Sequence, residues 1–517
     1  MAIVSTLISK GYNEFLQFSF MEVNLFYKIL IGIVVYWSLY VSSQTFIRKD
    51  SKMVPTVFSY VPFMGNAIEF GKDPISFLKS CQAIYGDVFT FQLMNKKVTA
   101  CLGPDGNQFV FNARQTHASA AAAYNDMTKY VFGKDIVFDT AHSIFMEQKR
   151  FIKAGLNVET FKKDVPLILE ECDLFFDKFE KSGEIDAYHM FGALIINTAS
   201  RALLGPEIRN ALDDGVAQLY YDLDQGFRPI NFMFPNLPLP AYRKRDEARE
   251  KLAVVYEKVI KNRRDNKEVH DDLLQSLMNS KYKDGSPVPD AQICGILTAA
   301  LFGGQHTSST TSAWASLELA HRPDIVKALR EEMIEKLGSL QVDFTYENLD
   351  KLELLEDVVR ETLRLHPPIF NMMRRVVNED MLHEKSGLMI PQGNYICAAP
   401  GVTQIDATYF NEPMKWNPYR WSEKTDPVHQ YEQGDDANID YGFGAVGISS
   451  RSPFLPFGAG RHRCIGEKFG YLQLKAIIGT FVKKFDIEGT TPNVPKPDYT
   501  SMVVVPENSK IKFTRRV

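Results

Sequence analysis

The sequence predicts a mainly α protein with a minor β part, led by one helix able to span a membrane. Three observations carry this. Residues 29–47, ILIGIVVYWSLYVSSQTFI, hold no charge and are long enough, at about 1.5 Å per residue, to cross roughly 30 Å of hydrocarbon. Residues 290–321 form the longest helical run, with Asp290 of SPVPD as a plausible N-cap and Arg322-Pro323 as a stop. Strand-like runs are short: DVFTFQL and KVTACLG within 87–103, and NYICAAP at 394–400.

From the N-terminus onward, Arg48, Lys49 and Lys52 follow the span and favour a cytosolic side for everything after them; Lys28 on the other flank weakens that bias slightly. A cleavable leader fits less well, since no clear small-x-small site follows the apolar run. MVPTVFSYVPFMGN, with Pro55, Pro62 and Gly65, reads as a stiff linker. The expected division is residues 1–50 as an anchor segment and residues 51–517 as one cytosolic domain. No later linker breaks that domain, and the polar, Gly-rich stretch 431–453 reads as a surface excursion. The 517 residues are 45% hydrophobic and 24% charged with a formal charge of −4, which speaks against nucleic-acid binding and against disorder.

Six cysteines, at 81, 101, 172, 294, 397 and 464, show no metal-ligand spacing, and five read as reduced core residues. Cys464 differs. It lies in FLPFGAGRHRCIG, where glycines let the backbone turn tightly and approach a flat cofactor, and Arg461, His462 and Arg463 supply positive charge to meet anionic groups on it. The helix-like EKFGYLQLKAIIGTFV follows, so its N-terminal dipole points back at the sulfur. A thiolate stabilised in this way suits axial ligation of haem iron. In the long helix, LFGGQHTSSTTS places Gly303 and Gly304 where each lowers helix stability by roughly 1 kcal/mol relative to Ala. A helix thinned there admits dioxygen and a flat substrate, and His306 and Thr307 supply a titratable group and a hydroxyl for proton delivery. An acid of YDLDQGF, Asp222 or Asp224, is the candidate partner for His306.

Phe457-x-x-Gly460-x-His462-x-Cys464-x-Gly466 resembles the haem-binding signature of the cytochrome P-450 superfamily, with His462 where many members carry Arg. Glu361 and Arg364 of ETLR, with Arg420 of NPYRW, resemble the superfamily's buried Glu-Arg-Arg cluster. GGQHTS, YGDVFTF and MEQKRFIK are similar to the sterol 14α-demethylases, and DYGFGAVGISSRSPFLPFGAGRHRCIGEK resembles specifically their fungal branch. That resemblance implies the cytochrome P-450 fold and haem b ligated by Cys464, with Tyr124, Lys149, Arg374 and His462 at the haem propionates. It makes His306 and Thr307 catalytic. Met127, Phe132, Val137, Phe138 and Phe232 are implied to line a sterol chamber, joined by Ala299, Gly303, Met372 and Met373.

The implied activity is removal of the 14α-methyl of lanosterol or 24-methylenedihydrolanosterol in ergosterol biosynthesis. It proceeds by three oxidations that use O2 and NADPH, with electrons passed through a separate FAD/FMN reductase. The implied location is the endoplasmic reticulum membrane, single-pass, with the catalytic domain cytosolic. Two further readings fit the same residues: a divergent paralogue with weak or different sterol activity, and a sterol- and haem-binding modulator without turnover. Departures from the fungal pattern fall around the chamber: Phe138 for a usual Tyr, Phe370-Asn371 for His-Ser, Lys129-Tyr130 for Thr-Pro, and Asn95 for Gly.

Overall fold

Large apolar side chains fall into two populations: one stands exposed along a single N-terminal helix, the other fills the interior of everything that follows. The computed structural model describes residues 25–44, 51–211, 214–422, 427–431, 439–441, 443–444 and 447–516. The helix Leu25–Gln44 is long and apolar enough to cross a membrane and buries nothing against the rest of the chain along its apolar stretch. Its described part reaches four residues ahead of the expected span, through Lys28, whose long stem can carry its ammonium to the interface; the expected residues 45–47 lie outside the described segments. Its C-terminal end is tied to the domain. Trp37 Nε1 donates to the Tyr60 carbonyl at 2.8 Å, and the Gln44 amide both donates to Ser59 O (2.9 Å) and accepts from Ser59 N (3.0 Å).

Helix Asp290–Ala320 is the spine of the domain, packed against helices Ala187–Ala199, Glu353–Leu365 and Glu467–Lys484. Pro289, not Asp290, is its N-cap. Asp290 instead sits in the first turn, where its carboxylate accepts two 2.6 Å bonds from Arg264 and complements the helix dipole. The strands Val88–Leu93 and Lys96–Cys101 form a hairpin whose turn is carried by Met94 at φ 52°. Beyond it the five-stranded sheet continues with Tyr395–Ala398, parallel to Lys96–Cys101, then Met372–Val376 and Ala118–Ser119, both antiparallel. The apolar runs thus form strands where expected.

One carboxylate organises the region beneath the spine. Glu361 is wholly buried and takes Arg364 Nε at 2.9 Å and Nη2 at 2.8 Å, together with Arg420 Nε at 2.9 Å. It also accepts from Asn417 N (2.9 Å) and Trp421 Nε1 (3.1 Å). Arg364 spends its remaining donors on the carbonyls of Gln404, Pro413 and Lys415, so neither charge is left unpaired. The structure therefore brings together the three residues picked out in the sequence. Gln404 carries the connection onward: its Nε2 donates to Leu363 O and Arg364 O, and its Oε1 accepts from Leu455 N at the start of the Cys464 loop.

Removing one member of a buried ion pair leaves the other unpaired, which typically destabilises by about 3–5 kcal/mol. Arg364→Met should show a loss of that size in thermal or denaturant unfolding. A loss below about 1 kcal/mol would show that the cluster does not hold this region.

Candidate cofactor and active site

The Cys464 loop folds as it does because two of its glycines occupy left-handed backbone, Gly458 at φ 68° and Gly460 at φ 63°. At Gly460 a Cβ would also lie 2.8 Å from the Phe111 carbonyl. The loop closes through Cys464 N to Phe457 O (3.0 Å). Arg463 does not face an anionic ligand as the sequence suggested. Its guanidinium is used up by Glu467 (2.9 and 2.6 Å) and by Gly458 O (3.0 Å), and so braces the loop.

Of the six cysteines, the other five are buried and only Cys464 is exposed. Helix Glu467–Lys484 begins directly after it, with Gly466 as N-cap. Desolvation by the protein packed around it pushes the Cys464 thiol up even though its surface is open, while the Gly466 N–H, Lys149 and Arg463 pull it down. A coordinated metal ion would deprotonate it outright.

Next to this loop lies positive charge with no counter-charge. Lys149 is buried on helix His142–Gly155, and its Nζ donates to the carbonyls of Arg461 (2.9 Å) and Arg463 (3.0 Å). Burial lowers it to about 7, against the pull of the Cys464 thiolate form. Arg374 is buried on strand Met372–Val376; Nη1 reaches its neighbour's carbonyl, Met373 O, and Nη2 has no partner. Burial also holds the His462 ring well below the usual histidine range, reinforced by Arg374 and Lys149, and its Nδ1 is likewise unpartnered. Tyr124 Oη accepts from Met373 N at 2.8 Å and feels Arg374. Among the described residues no carboxylate pairs with Lys149, Arg374 or His462. Buried donors left in this state call for an anionic acceptor, and a haem with two propionates beside a cysteine ligand fits them.

On the spine, the residues from Ile293 onward are buried except along one stripe: Ala299, Ala300, Gly303, Gly304, His306 and Thr307. A Cβ on Gly303 or Gly304 would meet nothing within 4 Å, so this face borders open space. Thr307 Oγ1 donates to Gly303 O at 2.9 Å. His306 Nε2 lies 3.3 Å from Asp224 Oδ1 and Nδ1 lies 3.5 Å from the Tyr188 hydroxyl. Asp222 is elsewhere engaged, accepting from Gln218. Burial lowers the His306 pKa, and Asp224 opposes that.

Phe132 packs with Phe227 (5.4 Å) and with Phe302 of the spine (5.9 Å), and Phe232 lies against Tyr395 and Tyr124. Phe138 sits between Tyr124 (5.5 Å) and His462 (5.9 Å). Val137 has φ 53°, a strained conformation for a β-branched residue, pinned by its N–H to Gln148 Oε1. Met127 is buried. Met372 and Met373 alternate across their strand, so they face opposite sides. Met372 Sδ is 3.1 Å from the position of a Cβ on Gly458, whereas Met373 joins the core cluster with Val98 and Cys397. Met373 thus packs the sheet and does not share a wall with Met372.

Other residues at the site carried no sequence signal of their own. Phe145 stacks on His462 (5.5 Å, 23°), and Gln148 anchors the Val137 turn from within MEQKRFIK. Phe443 places its ring 3.8 Å from Lys149 Nζ, so the stretch read as a surface excursion reaches the site; Ser449, Ser450 and Ser452 of the same stretch are buried.

Three comparisons bear on this arrangement. A family model described as Cytochrome P450 matches residues 55–513. The lanosterol 14-alpha demethylase of Cunninghamella elegans is 61% identical over 520 residues, covering 100% of both chains. That of Schizosaccharomyces pombe is 42% identical over 497 residues, covering 94% of this chain and 98% of its own. Among solved structures, retinoic acid-bound cyanobacterial CYP120A1 superposes with a TM-score of 0.75 at 21% identity, covering 90% of this chain and 100% of that one, which speaks to the fold alone.

Open space beside Gly303 makes a separable prediction. Gly303→Ala meets no protein atom and should stabilise the helix by up to about 1 kcal/mol, while its methyl intrudes on a bound ligand. Unfolding and sterol titration measured together should show equal or higher stability with weaker sterol binding. Unchanged binding would show that this face is not a ligand wall.

Proposed function

Because the chain belongs to the cytochrome P450 family, we infer that its Cys464 site serves the reaction its sequence points to, and the chain is a sterol 14α-demethylase. The observation that carries this reading is the full-length likeness to the Cunninghamella elegans enzyme. Cys464 would hold haem b, with Tyr124, Lys149, Arg374 and His462 at its propionates, and the haem would supply the oxygen-activating chemistry. The substrate is lanosterol or 24-methylenedihydrolanosterol, whose 14α-methyl leaves as formate after alcohol and aldehyde stages. NADPH provides the electrons through a separate FAD/FMN reductase.

The chain's own residues account for substrate placement and proton supply. Ala299 and Gly303 keep the spine thin so that a flat sterol can lie against it, while Phe132, Phe138 and Met372 add apolar wall. Thr307 directs its own proton to Gly303 O, leaving the lone pairs of Oγ1 free to receive one. His306 faces Asp224 with Nε2 and Tyr188 with Nδ1; the Asp224 side chain, 32% exposed, reaches solvent. Buried Nε2, without a hydrogen-bond partner among the described residues but 3.3 Å from the Asp224 carboxylate, is the ring atom placed to exchange a proton with it.

Residues 1–50 anchor the protein and residues 51–517 form the catalytic domain. Arg48, Lys49 and Lys52 hold that domain on the cytosolic face, in the endoplasmic reticulum membrane where reductase and sterol meet. The intact His306-Thr307 pair and the full-length identity favour turnover over a non-catalytic modulator.

The test is reconstitution of the full chain with a reductase, NADPH and both sterols, followed by product analysis. The expected result is one formate per Δ14 sterol formed. His306→Ala should lower turnover by tenfold or more, on the order of what loss of an acid–base group does, with sterol affinity little changed and NADPH consumed without product. No demethylated product from either sterol would overturn the reading. An equal fall in binding and rate would make His306 a packing residue.

A further inference from the structure

We infer that Gln115 is a positioning residue that fixes the tautomer of His462, so that the ring offers its Nδ1–H to a cofactor carboxylate. This rests on the haem-thiolate reading above and assigns a role to a residue outside the family motifs. Gln115 lies in the turn between helix Gly103–Phe111 and strand Ala118–Ser119, where His117 N and Ala118 N both donate to Arg114 O at 2.9 Å. Its side-chain amide nitrogen is 2.7 Å from His462 Nε2.

With its amide nitrogen towards the ring Gln115 donates, Nε2 carries the lone pair and the ring hydrogen sits on Nδ1; the flipped amide would accept from Nε2 and leave a bare Nδ1 lone pair facing the anionic acceptor that the site calls for. That Nδ1 is buried and has no protein partner. The opposite tautomer would turn a bare lone pair towards the acceptor the site requires, where it would repel a carboxylate. The ring cannot swing to another partner, because Phe145 stacks on it at 5.5 Å and Phe138 and His142 flank it. Gln115 therefore sets from one edge of the ring what the other edge presents. A leucine there would remove the donor at Nε2 and leave the cofactor carboxylate alone to select the tautomer.

The experiment uses the full-length haem-loaded chain, Gln115→Leu, His462→Arg and the double variant, with Gln115→Met as a second replacement of similar length. Haem transfer from the ferric protein to excess apomyoglobin is timed, and the propionate bending modes are recorded by resonance Raman. Loss of one orienting hydrogen bond should speed transfer about two- to tenfold in Gln115→Leu and Gln115→Met and shift a propionate mode. In the His462→Arg background, where no tautomer exists, Gln115→Leu should change neither. Wild-type transfer rates in both single Gln115 variants would overturn the inference, as would an equal acceleration with and without His462, which marks packing. A wild-type chain that takes up no haem would overturn the parent reading and this inference with it.

Discussion

Positive charge buried without a counter-charge is the constraint around which this molecule is arranged. A buried, unpaired ion is disfavoured by several kcal/mol even after the surroundings relax, and Lys149 and Arg374 are both buried with carbonyls, and for Lys149 the Phe443 ring, as partners but no carboxylate among the described residues. An anion beside them would favour the charged form that burial opposes, as the lowering of Lys149 to about 7 shows. The Cys464 loop lies against the same charges: Lys149 holds the carbonyls on either side of His462, so one ammonium both shapes the ligand loop and awaits the anion. On the proposed reading, haem bound here would supply the missing counter-charge.

The Glu361 cluster solves the opposite problem, and the two are linked. There every charge and nearly every donor is matched within the protein, and Gln404 passes that rigidity to Leu455, the first turn of the ligand loop. Trp421 adds an apolar contact to Phe454 at 4.7 Å, with Arg360 over its ring. A fully satisfied network therefore supports an unsatisfied one. The spine has a similar division: its far half is packed on all sides, while small residues at 299, 300, 303 and 304 leave one stripe open.

Much of this was legible in the sequence wherever a single stretch of chain carries the reason. The glycine-basic-cysteine order, the paired glycines beside His306 and the three short strands are local patterns, and each folded as its chemistry suggests. What escaped was set by partners far along the chain. Asp290 reads as an N-cap until Arg264 takes its carboxylate. Arg463 reads as an anion ligand until Glu467 turns it inward. Phe443 and Gln115 look like ordinary loop residues, because only the fold brings them to Lys149 and His462. Met372 and Met373 needed the strand register, which assigns them to opposite faces.

The account rests on Cys464 as the ligand of a haem whose carboxylates complete the buried charge. The most direct measurement is the difference spectrum of the reduced carbon monoxide complex, recorded for the full chain and for Cys464→Ser. The account predicts the strongly red-shifted Soret band that thiolate ligation produces in the first and its disappearance in the second. The same band in both proteins would contradict it.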